Sequence, residues 1–263
     1  GDALGTNLRS NETINLDWIQ QLPDNLEGDY YMIAHIPEVD IQVAFSSTPV
    51  ITINSLDKGK TDLINSGSTQ FSKERPSTSH DGKNAAYEME DQNNIKQIHI
   101  LDPQIQITEN GNAHSRRPMF SGDGNAVVFY SSATNLIEGD SDNNGHDDVF
   151  FYKVSSGQTV RAINFTTGEE GNGGSTYPDI NWDGSQIVFE SASTNLDGAS
   201  NCKQIFLWDT TTNVFGEILR LTNGNDDSFS ASISNSGDRI VFTSLATNLT
   251  TGDPDSNGFS DIY

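Results

Sequence analysis

Cysteine is nearly absent from this sequence of 263 residues. Cys202 is the single cysteine, so the chain can form neither an internal disulfide nor a cysteine-based zinc cluster. Long apolar runs are also missing, since no stretch of the sequence approaches the length of a membrane span. Hydrophobic residues make up only 33% of the chain and charged residues 19%, while Gly, Ser, Thr and Asn are abundant. This composition is typical of short strands joined by polar turns.

Basic residues are scarce as well. The sequence contains 14 lysines and arginines and 37 acidic residues, which gives a formal net charge of −23. Such a surface repels nucleic acids and anionic membranes, so neither is an expected partner, and it attracts cations. The chain begins at Gly1 rather than at Met, so we expect a mature form or a fragment of a larger multidomain protein.

A sequence phrase recurs along the chain. Its frame is proline, two residues, a small polar residue, one residue, Asp-Gly or Ser-Gly, and then an alternating apolar run. Ala231 replaces the proline in the last copy. The copies occupy residues 75–88, 117–130, 177–190 and 230–243. Three of them continue alike, as SSATNL (131–136), SASTNL (191–196) and SLATNL (244–249). Repetition at this spacing is typical of an array of similar structural units.

Each copy predicts a four-stranded unit. Asp-Gly is a strong hairpin signal because glycine tolerates positive φ angles, and the alternation after it, as at 128–129 and 240–242, predicts a half-buried strand. Third strands are predicted at 98–101, 149–152, 205–208 and 262–263, and fourth strands at 105–108, 160–163 and 218–221. Repeated four-stranded units predict an all-β fold, a β-propeller.

The N-terminal third carries a weaker copy without the Asp-Gly turn. Its strands are predicted at 30–37, 41–47, 50–55 and 61–65. Residues 1–263 are thus predicted to form one propeller domain with five repeats and five or six blades. The segment 5–13 resembles the missing fourth strand of the last unit and could close the ring. Residues 14–27 are predicted to be an insertion or a short helix, and could include part of a sixth blade.

The repeats resemble the PD40 (WD40-like) repeats of TolB-type β-propellers over roughly residues 70–263. The signature P-x-x-S-x-D-G-x-x-[IV]-x-F is matched by Pro118, Ser121, Asp123, Gly124, Val127 and Phe129, and by Pro178, Asp183, Gly184, Ile187 and Phe189 with Asn181 in place of the serine. In the copy at 75–88, Tyr87 takes the aromatic position. The resemblance implies a propeller fold and a role as a protein-interaction platform. Propellers also host enzymes and lectins, so it implies little more about function.

Two acidic loops share one pattern of oxygen-bearing side chains. Residues at positions 1, 3, 5 and 9 of each loop, with the backbone carbonyl at position 7, are predicted to bind Ca²⁺, as in the first part of an EF-hand loop. The predicted ligands are Asp140, Asp142, Asn144, the carbonyl of His146 and Asp148 in the first loop, and Asp253, Asp255, Asn257, the carbonyl of Phe259 and Asp261 in the second. Both loops resemble the calcium loops of integrin-type (FG-GAP) propeller blades.

The two acidic loops also allow other interpretations. They could be solvated Asp/Asn turns, although three carboxylates within nine residues repel one another without a cation. The equivalent stretch of the intervening unit, 197–204, is four residues shorter and contains one aspartate, so the fold does not require the acidic form. Magnesium demands tighter octahedral geometry, and zinc prefers histidine or cysteine ligands. We therefore predict two calcium sites.

Catalytic motifs are absent. The sequence contains neither Gly-x-Ser-x-Gly nor His-Glu-x-x-His, and its five histidines are scattered. His99 alternates with apolar residues and is predicted to be an ordinary strand residue, and His114 a polar loop residue. The pairs Glu169–Glu170 and Asp226–Asp227 could support glycosidase chemistry, but sequence does not give the separation that this chemistry needs.

The sequence therefore predicts a non-catalytic, calcium-binding propeller that binds a protein, peptide or carbohydrate. The ligand is expected on the face that carries both acidic loops and the polar loops 110–117, 168–176 and 223–230. Free calcium is abundant outside cells, so we expect an extracellular, cell-surface or periplasmic protein. The alternatives are a glycoside hydrolase or lyase with acidic residues at the channel mouth, and a propeller in which calcium only stabilises the fold.

Overall fold

The computed structural model describes residues 73–263 apart from positions 103, 140–141, 165, 199–201, 212–215 and 251–256, together with the backbone of four short upstream strands. The upstream strands are β1 (Tyr30–His35), β2 (Asp40–Phe45), β3 (Ile51–Ile53) and β4 (Thr61–Leu63). β1 pairs with β2 and β3 pairs with β4, both antiparallel. The strands predicted for the weak N-terminal repeat are therefore found, as two two-stranded ladders.

Four antiparallel sheets follow in chain order. The first contains β5 (Lys73–Thr78), β6 (Ala85–Glu90), β7 (Lys96–Ile100) and β8 (Ile105–Gln106). The second contains β9 (Ser115–Phe120), β10 (Ala126–Ser131), β11 (Asp148–Lys153) and β12 (Gln158–Arg161). The third contains β13 (Ser175–Ile180), β14 (Gln186–Ser191), β15 (Gln204–Asp209) and β16 (Glu217–Arg220). The fourth contains β17 (Ser228–Ile233), β18 (Ile240–Ser244) and β19 (Asp261–Ile262).

Each sheet is an up-and-down meander, because its strands pair in the order of the sequence. This confirms the predicted four-stranded units and the three-stranded last one, and it is the arrangement of propeller blades. Within the described part of the chain, no helix has the length and apolar character needed to cross a membrane.

The Asp-Gly turns form as the sequence predicts. In the second sheet, Gly124 adopts a φ of 73°, which is accessible to glycine without steric strain. Ser121 Oγ donates to Asp123 Oδ1 at 2.6 Å, and the same oxygen accepts the backbone N–H of Asn125 at 2.9 Å. Ser121 Oγ also accepts the N–H of Ala126 at 3.0 Å. These local bonds satisfy the polar groups of the turn and fix the register of β9 against β10.

Both faces of the second sheet are buried. Val127 and Phe129 pack against the first sheet, while Val128 and Tyr130 pack against the third. Every residue of β10 is buried, so the prediction of a half-buried strand is wrong there. The reason is that propeller sheets stack face to face, so that neither face meets water. In β18 the prediction is confirmed, since Val241 is 53% exposed.

Turns at one end of the sheets are joined by backbone hydrogen bonds. His80 N–H donates to Gly122 O at 3.0 Å, Asp123 N–H to Trp182 O at 2.9 Å, and Trp182 N–H to Asn235 O at 3.0 Å. The four Asp-Gly or Ser-Gly turns are therefore linked in sequence. These bonds hold the first strands of consecutive sheets side by side.

Loops at the opposite end are fixed by the recurring Thr-Asn pair. Asn112 Nδ2 donates to Thr134 Oγ1 at 2.8 Å, the N–H of Thr134 donates to Asn112 Oδ1 at 2.9 Å, and the N–H of Asn112 donates to Asn135 Oδ1 at 2.9 Å. The same three bonds recur between Asn172 and 194–195, and between Asn225 and 247–248. The loops predicted to bind ligands are thus held to the segments that follow the second strands of their own sheets.

Two sequence predictions fall outside the described residues. They are the closing strand at 5–13 and the insertion or short helix at 14–27. The single domain spanning 1–263 also stays a prediction. In the fourth sheet, Val241 and Ile262 are 53% and 81% exposed. Val188 and Ile205 hold the same register positions in the third sheet and are fully buried, because another sheet follows. No described sheet covers the corresponding face of the fourth sheet.

We predict that deleting residues 1–13 raises the amide exchange rate of Ile262, whose N–H faces away from β18 because the N–H of the next residue, Tyr263, donates to Phe242 O at 3.0 Å. The reason is that a strand from 5–13 would hydrogen-bond to the open edge of β19. Hydrogen exchange of the full chain and the shortened chain measures this, with the amides of 127–130 as an internal control. Unchanged protection of β19 would argue against closure by this segment.

Candidate functional site

Three carboxylates surround one arginine beside the second sheet. Arg161 Nη1 lies 2.8 Å from Glu170 Oε2, 3.4 Å from Asp148 Oδ2 and 3.6 Å from Asp142 Oδ2. The side chains of Arg161, Asp142 and Asp148 are at most 4% exposed. Each carboxylate places an oxygen within 4.8 Å of the other two. The cluster could therefore hold a metal ion.

Asp148 occupies a position that is neutral in the neighbouring sheets. It begins β11 opposite Ser131, as Gln204 begins β15 opposite Ser191. Gln204 Oε1 accepts the hydroxyl of Thr222 at 2.8 Å, and Gln204 Nε2 donates to Gly224 O at 3.2 Å. The second residue of β7 in the first sheet, Gln97, makes the corresponding pair of bonds. Glutamine thus joins the third strand to the next loop in both neighbouring sheets.

Asn144 supplies the donor that an aspartate lacks. Its Nδ2 donates to Gly171 O at 2.8 Å and lies 3.2 Å from Asp148 Oδ2. Its Oδ1 accepts the N–H of His146 at 2.6 Å, and Gly145 between them has a φ of 70°. Asn144 therefore makes the hydrogen bond to the next loop that glutamine makes in the neighbouring sheets. Position 148 itself carries a carboxylate instead of an amide.

Glu170 ties the acidic loop to the loop that enters the third sheet. Its Oε1 accepts the N–H of Asn143 at 3.0 Å, while its Oε2 pairs with Arg161. Glu170 stands directly before Gly171, the glycine that Asn144 bonds. The two loops thus lie at the same end of the sheets, as the sequence predicts for this face.

The electrostatics of the cluster are unbalanced. Burial raises the pKa of Asp148 to about 7, helped by the nearby charges of Asp142 and Glu170 and opposed by Arg161. Three carboxylates face one guanidinium, so two negative charges are in excess when all are ionised. A neighbouring cavity of about 10 Å³, lined by Asp142 and Arg161 among others, has the size of about one water molecule.

The predicted ligands of the first loop are only partly brought together. Asp142 and Asp148 lie in the cluster, and Asn144 adjoins it through its amide nitrogen. His146 lies in the exposed turn. Asp140 lies outside the described residues, so the full set of ligands stays a prediction.

The second loop repeats the turn of the first. Asn257 Oδ1 accepts the N–H of Phe259 at 2.6 Å, and Gly258 has a φ of 73°. Asp261 begins β19 opposite Ser244, the position that Asp148 holds in β11. Asp253 and Asp255 lie outside the described residues, so this site too stays a prediction.

Sequence reasoning missed Glu170 as a member of the acidic loop's cluster, and it missed Arg161 entirely. One signal was available. Aligning the loops on the glycines at 111, 171 and 224 places Glu170 where the other two loops carry Asn110 and Asn223. A carboxylate replaces an amide there, as it does at Asp148. Arg161 has no such signal. The third sheet also ends its fourth strand in an arginine, Arg220 of β16, so the arginine at this position does not distinguish the second sheet.

One member of each acidic pair considered for catalysis makes a structural contact. Glu170 faces Arg161, and Asp227 Oδ1 accepts the N–H of Lys203 at 2.7 Å. His99 stacks on Tyr87 at 5.5 Å, and burial, with the charge of Lys73, lowers its pKa to about 4. His99 is thus the ordinary strand residue that the sequence predicts. The carboxylates of the acidic cluster place oxygens within 4.8 Å of one another, which is closer than the roughly 6.5–9.5 Å of inverting glycosidases and near the roughly 5–5.5 Å of retaining ones.

His114 differs from the expected polar loop residue. It is partly buried, and its Nδ1 accepts the N–H of Lys96 at 3.0 Å, which joins the loop before β9 to β7 of the first sheet. The side chain therefore contributes to packing between neighbouring sheets.

We predict that Asp148→Asn changes the pH dependence of stability in EDTA. A folded-state pKa of about 7, above the ordinary 3.8, means that the stability from protonated Asp148 is complete below about pH 4 and is lost as pH rises through 7. Relative to wild type, the variant should gain about 2 kcal/mol between pH 5 and 7, since one pH unit is worth about 1.4 kcal/mol per proton. Urea unfolding measures this, and comparison with wild type cancels other groups such as His99. A constant difference across this range would contradict the assignment.

Comparison with protein-family models gives no match for this chain, and comparison with curated proteins gives none either. Among solved structures, the chain is similar to a protein assigned as TolB from Agrobacterium tumefaciens, with 17% identity over 81% of this chain and 76% of that chain and a TM-score of 0.50. It is also similar to TolB from Acinetobacter baumannii, with 18% identity over 88% of this chain and a TM-score of 0.47. The chain spans 51% of that second protein. The first likeness and the four-stranded antiparallel sheets together show an all-β propeller fold.

Proposed function

We propose that this chain is a non-catalytic, calcium-binding propeller module that binds a protein or peptide outside the cytoplasm. Two calcium ions are proposed, one for each acidic loop. The single observation that carries the proposal is the exchange at Asp148, where a buried carboxylate replaces the glutamine of the neighbouring sheets. Without a further cation this exchange is unfavourable, because one guanidinium, that of Arg161, faces three carboxylates and leaves two negative charges uncompensated.

The donor set fits calcium. The described cluster offers carboxylate oxygens from Asp142, Asp148 and Glu170, and calcium prefers six to eight hard oxygen ligands. Its two positive charges would offset the excess of negative charge that Arg161 leaves. Zinc is disfavoured because no histidine or cysteine side chain belongs to the described cluster.

The remaining proposed ligands complete the first site. They are Asp140 and the backbone carbonyl of His146, with Asn144 as an orienting residue that donates to Asp148. To act as a ligand, Asn144 would have to turn its oxygen toward the cluster and give up its bonds to Gly171 O and to the N–H of His146. For the second site, the shared turn at 257–259 supports the same roles for Asp253, Asp255, Asn257, the carbonyl of Phe259 and Asp261.

Calcium would order a ligand-binding face. The acidic loop is already bonded to the loop entering the third sheet through Asn143, Asn144 and Glu170, so an ion held between them would fix both. Phe259, beside the second loop, is 74% exposed and could contact an apolar side chain of a protein ligand. The resemblance to TolB-type propellers, expected to be protein-interaction platforms, favours a protein or peptide over a carbohydrate.

An extracellular, cell-surface or periplasmic location follows from the proposed metal. Oxygen-rich sites on extracellular modules bind calcium with dissociation constants of about 10⁻⁴–10⁻³ M. Such weak sites are filled only where free calcium is abundant. The net charge of −23 is compatible with calcium-rich surroundings.

We predict that isothermal titration calorimetry finds two calcium sites in the wild-type chain. Asp148→Gln and Asp261→Gln, which copy the residue of the neighbouring sheets, should each remove one site, and the double variant both. When free calcium exceeds the dissociation constant about 100-fold, a site that binds only the folded chain adds about 2.7 kcal/mol of stability. Calcium should therefore raise the Tm of the wild type.

Asp102→Asn is the matched control, because Asp102 is an exposed aspartate outside both loops. It should keep both sites. Calcium uptake that is equal in the wild type and in the double variant would exclude these loops as the metal sites.

The ligand class is tested separately. We predict that the calcium-loaded chain binds members of a peptide array, that EGTA abolishes this binding, and that Asp148→Gln weakens it, because calcium orders the binding face. A glycan array is probed in parallel. Binding to glycans alone would contradict a peptide ligand, and binding unaffected by EGTA would leave calcium with a structural role only.

A further inference from the structure

Four residues at matched positions of the first strands adopt left-handed backbone conformations. They are Arg75, Arg117, Tyr177 and Ser230, with φ between 50° and 54°. Each is the third residue of its strand, in β5, β9, β13 and β17 respectively. The pairing of each first strand with its second strand shifts register at this point. The conformation therefore belongs to a β-bulge that every described blade repeats.

Glycine would occupy these positions with less strain, because a side chain disfavours positive φ. The chain instead carries two arginines, a tyrosine and a serine. The backbone conformation is common to all four positions, so it does not explain the choice of side chains. Residues held in sparsely populated backbone conformations cluster at active sites and ligand clamps.

The first three of these residues form a continuous row across the edge strands. Arg75 Nε lies 3.4 Å from Glu88 Oε1, and the same oxygen accepts the backbone N–H of Arg117 at 2.7 Å. The guanidinium of Arg117 then lies 4.3 Å from the ring centre of Tyr177 on the next strand. Each first strand pairs with one neighbour only, so its other edge faces the propeller channel.

The Arg117 guanidinium is uncommitted as a hydrogen-bond donor. Its five N–H groups have no acceptor among the residues that the structure describes, where its contact is the ring of Tyr177. The side chain of Arg75 is 53% exposed and Tyr177 is 43% exposed. Donors of this kind remain available to a ligand.

The row is locally positive in a strongly acidic chain. Lys96 Nζ lies 2.6 Å from Glu74 Oε2 and 3.4 Å from Glu88 Oε2. Together with Arg75 and Arg117, three cations face two carboxylates. One positive charge is thus in excess, whereas the whole chain has a net charge of −23. An anion would be attracted to this edge over short distances only.

We propose that Arg75, Arg117 and Tyr177 form a binding site for a carboxylate group at the inner edge of the propeller. The guanidinium fork matches a planar carboxylate with two parallel hydrogen bonds. Stacking on Tyr177 holds the Arg117 guanidinium in place without using its donors. None of these residues belongs to the acidic loops, so the site is independent of the proposed calcium function.

The test uses the full chain and benzoate, with neutral benzamide as its isostere. Isothermal titration calorimetry measures affinity, and the Nε–Hε signals of arginine are followed by NMR. Arg117→Gln should weaken benzoate binding about tenfold or more, since it removes a charge-assisted pair of hydrogen bonds. Arg117→Lys should also weaken it, because lysine keeps the charge but lacks the planar fork.

Arg239→Gln is the control, because Arg239 is an exposed arginine in the turn between β17 and β18, outside the row. It should bind benzoate like the wild type. Thermal melts of all variants check folding, and Tyr177→Leu should weaken binding without removing a charge. Equal affinity for benzamide, or for benzoate in Arg117→Gln, would overturn the proposal.

Short peptides distinguish the source of the carboxylate. Acetyl-Ala-Ala-Phe with a free C-terminus represents a chain terminus, and acetyl-Ala-Asp-Phe-amide represents an acidic side chain. Acetyl-Ala-Ala-Phe-amide is the neutral reference. Selective binding of either charged peptide supports the site and names the source, and selective binding of benzoate alone supports it for a small organic acid. Failure of all three charged probes would contradict it.

Discussion

Burial of both faces of the central sheets is the constraint on which the rest of this structure depends. In β10, Val127 and Phe129 pack in one direction and Val128 in the other, and all three are fully buried. Side chains on the sheet faces can therefore vary little without leaving cavities or overpacking. Both candidate sites lie away from these packed faces, the acidic cluster at the loops and the Arg–Tyr row at the inner edge.

The acidic loop is a local replacement within this repeated frame. In the neighbouring sheets, Gln97 and Gln204 close the junction between the third strand and the next loop with neutral hydrogen bonds. In the second sheet the longer loop brings Asn144, which makes the equivalent bond to Gly171. This substitution allows Asp148 to be acidic without breaking the fold. The consequence is a buried charge, expressed as a pKa raised to about 7, which a proton or a cation can compensate.

The first acidic loop shows how much of the candidate site the sequence predicts. Spacing alone brought Asp142, Asn144 and Asp148 together as candidates, because they lie within one loop whose turn is set by Gly145. Arg161 and Glu170 join them from β12 and from the following loop. Both residues lie outside the loop in the sequence, and no spacing pattern links them to it. Only the folded chain therefore shows that they belong to the same cluster.

The sequence by itself determined the fold, since turn residues, alternation and repeat spacing are local signals and recur in each unit. It predicted the four-stranded meanders, the missing fourth strand of the last sheet, and the matching turns at Gly145 and Gly258. Tertiary structure alone decided what surrounds each strand and each charge. It buried both faces of β10 by stacking sheets, placed Arg161 among three carboxylates, and laid Arg117 across Tyr177. These contacts join residues from different strands, loops or blades, and their energies depend on burial and distance, which no single stretch of sequence contains.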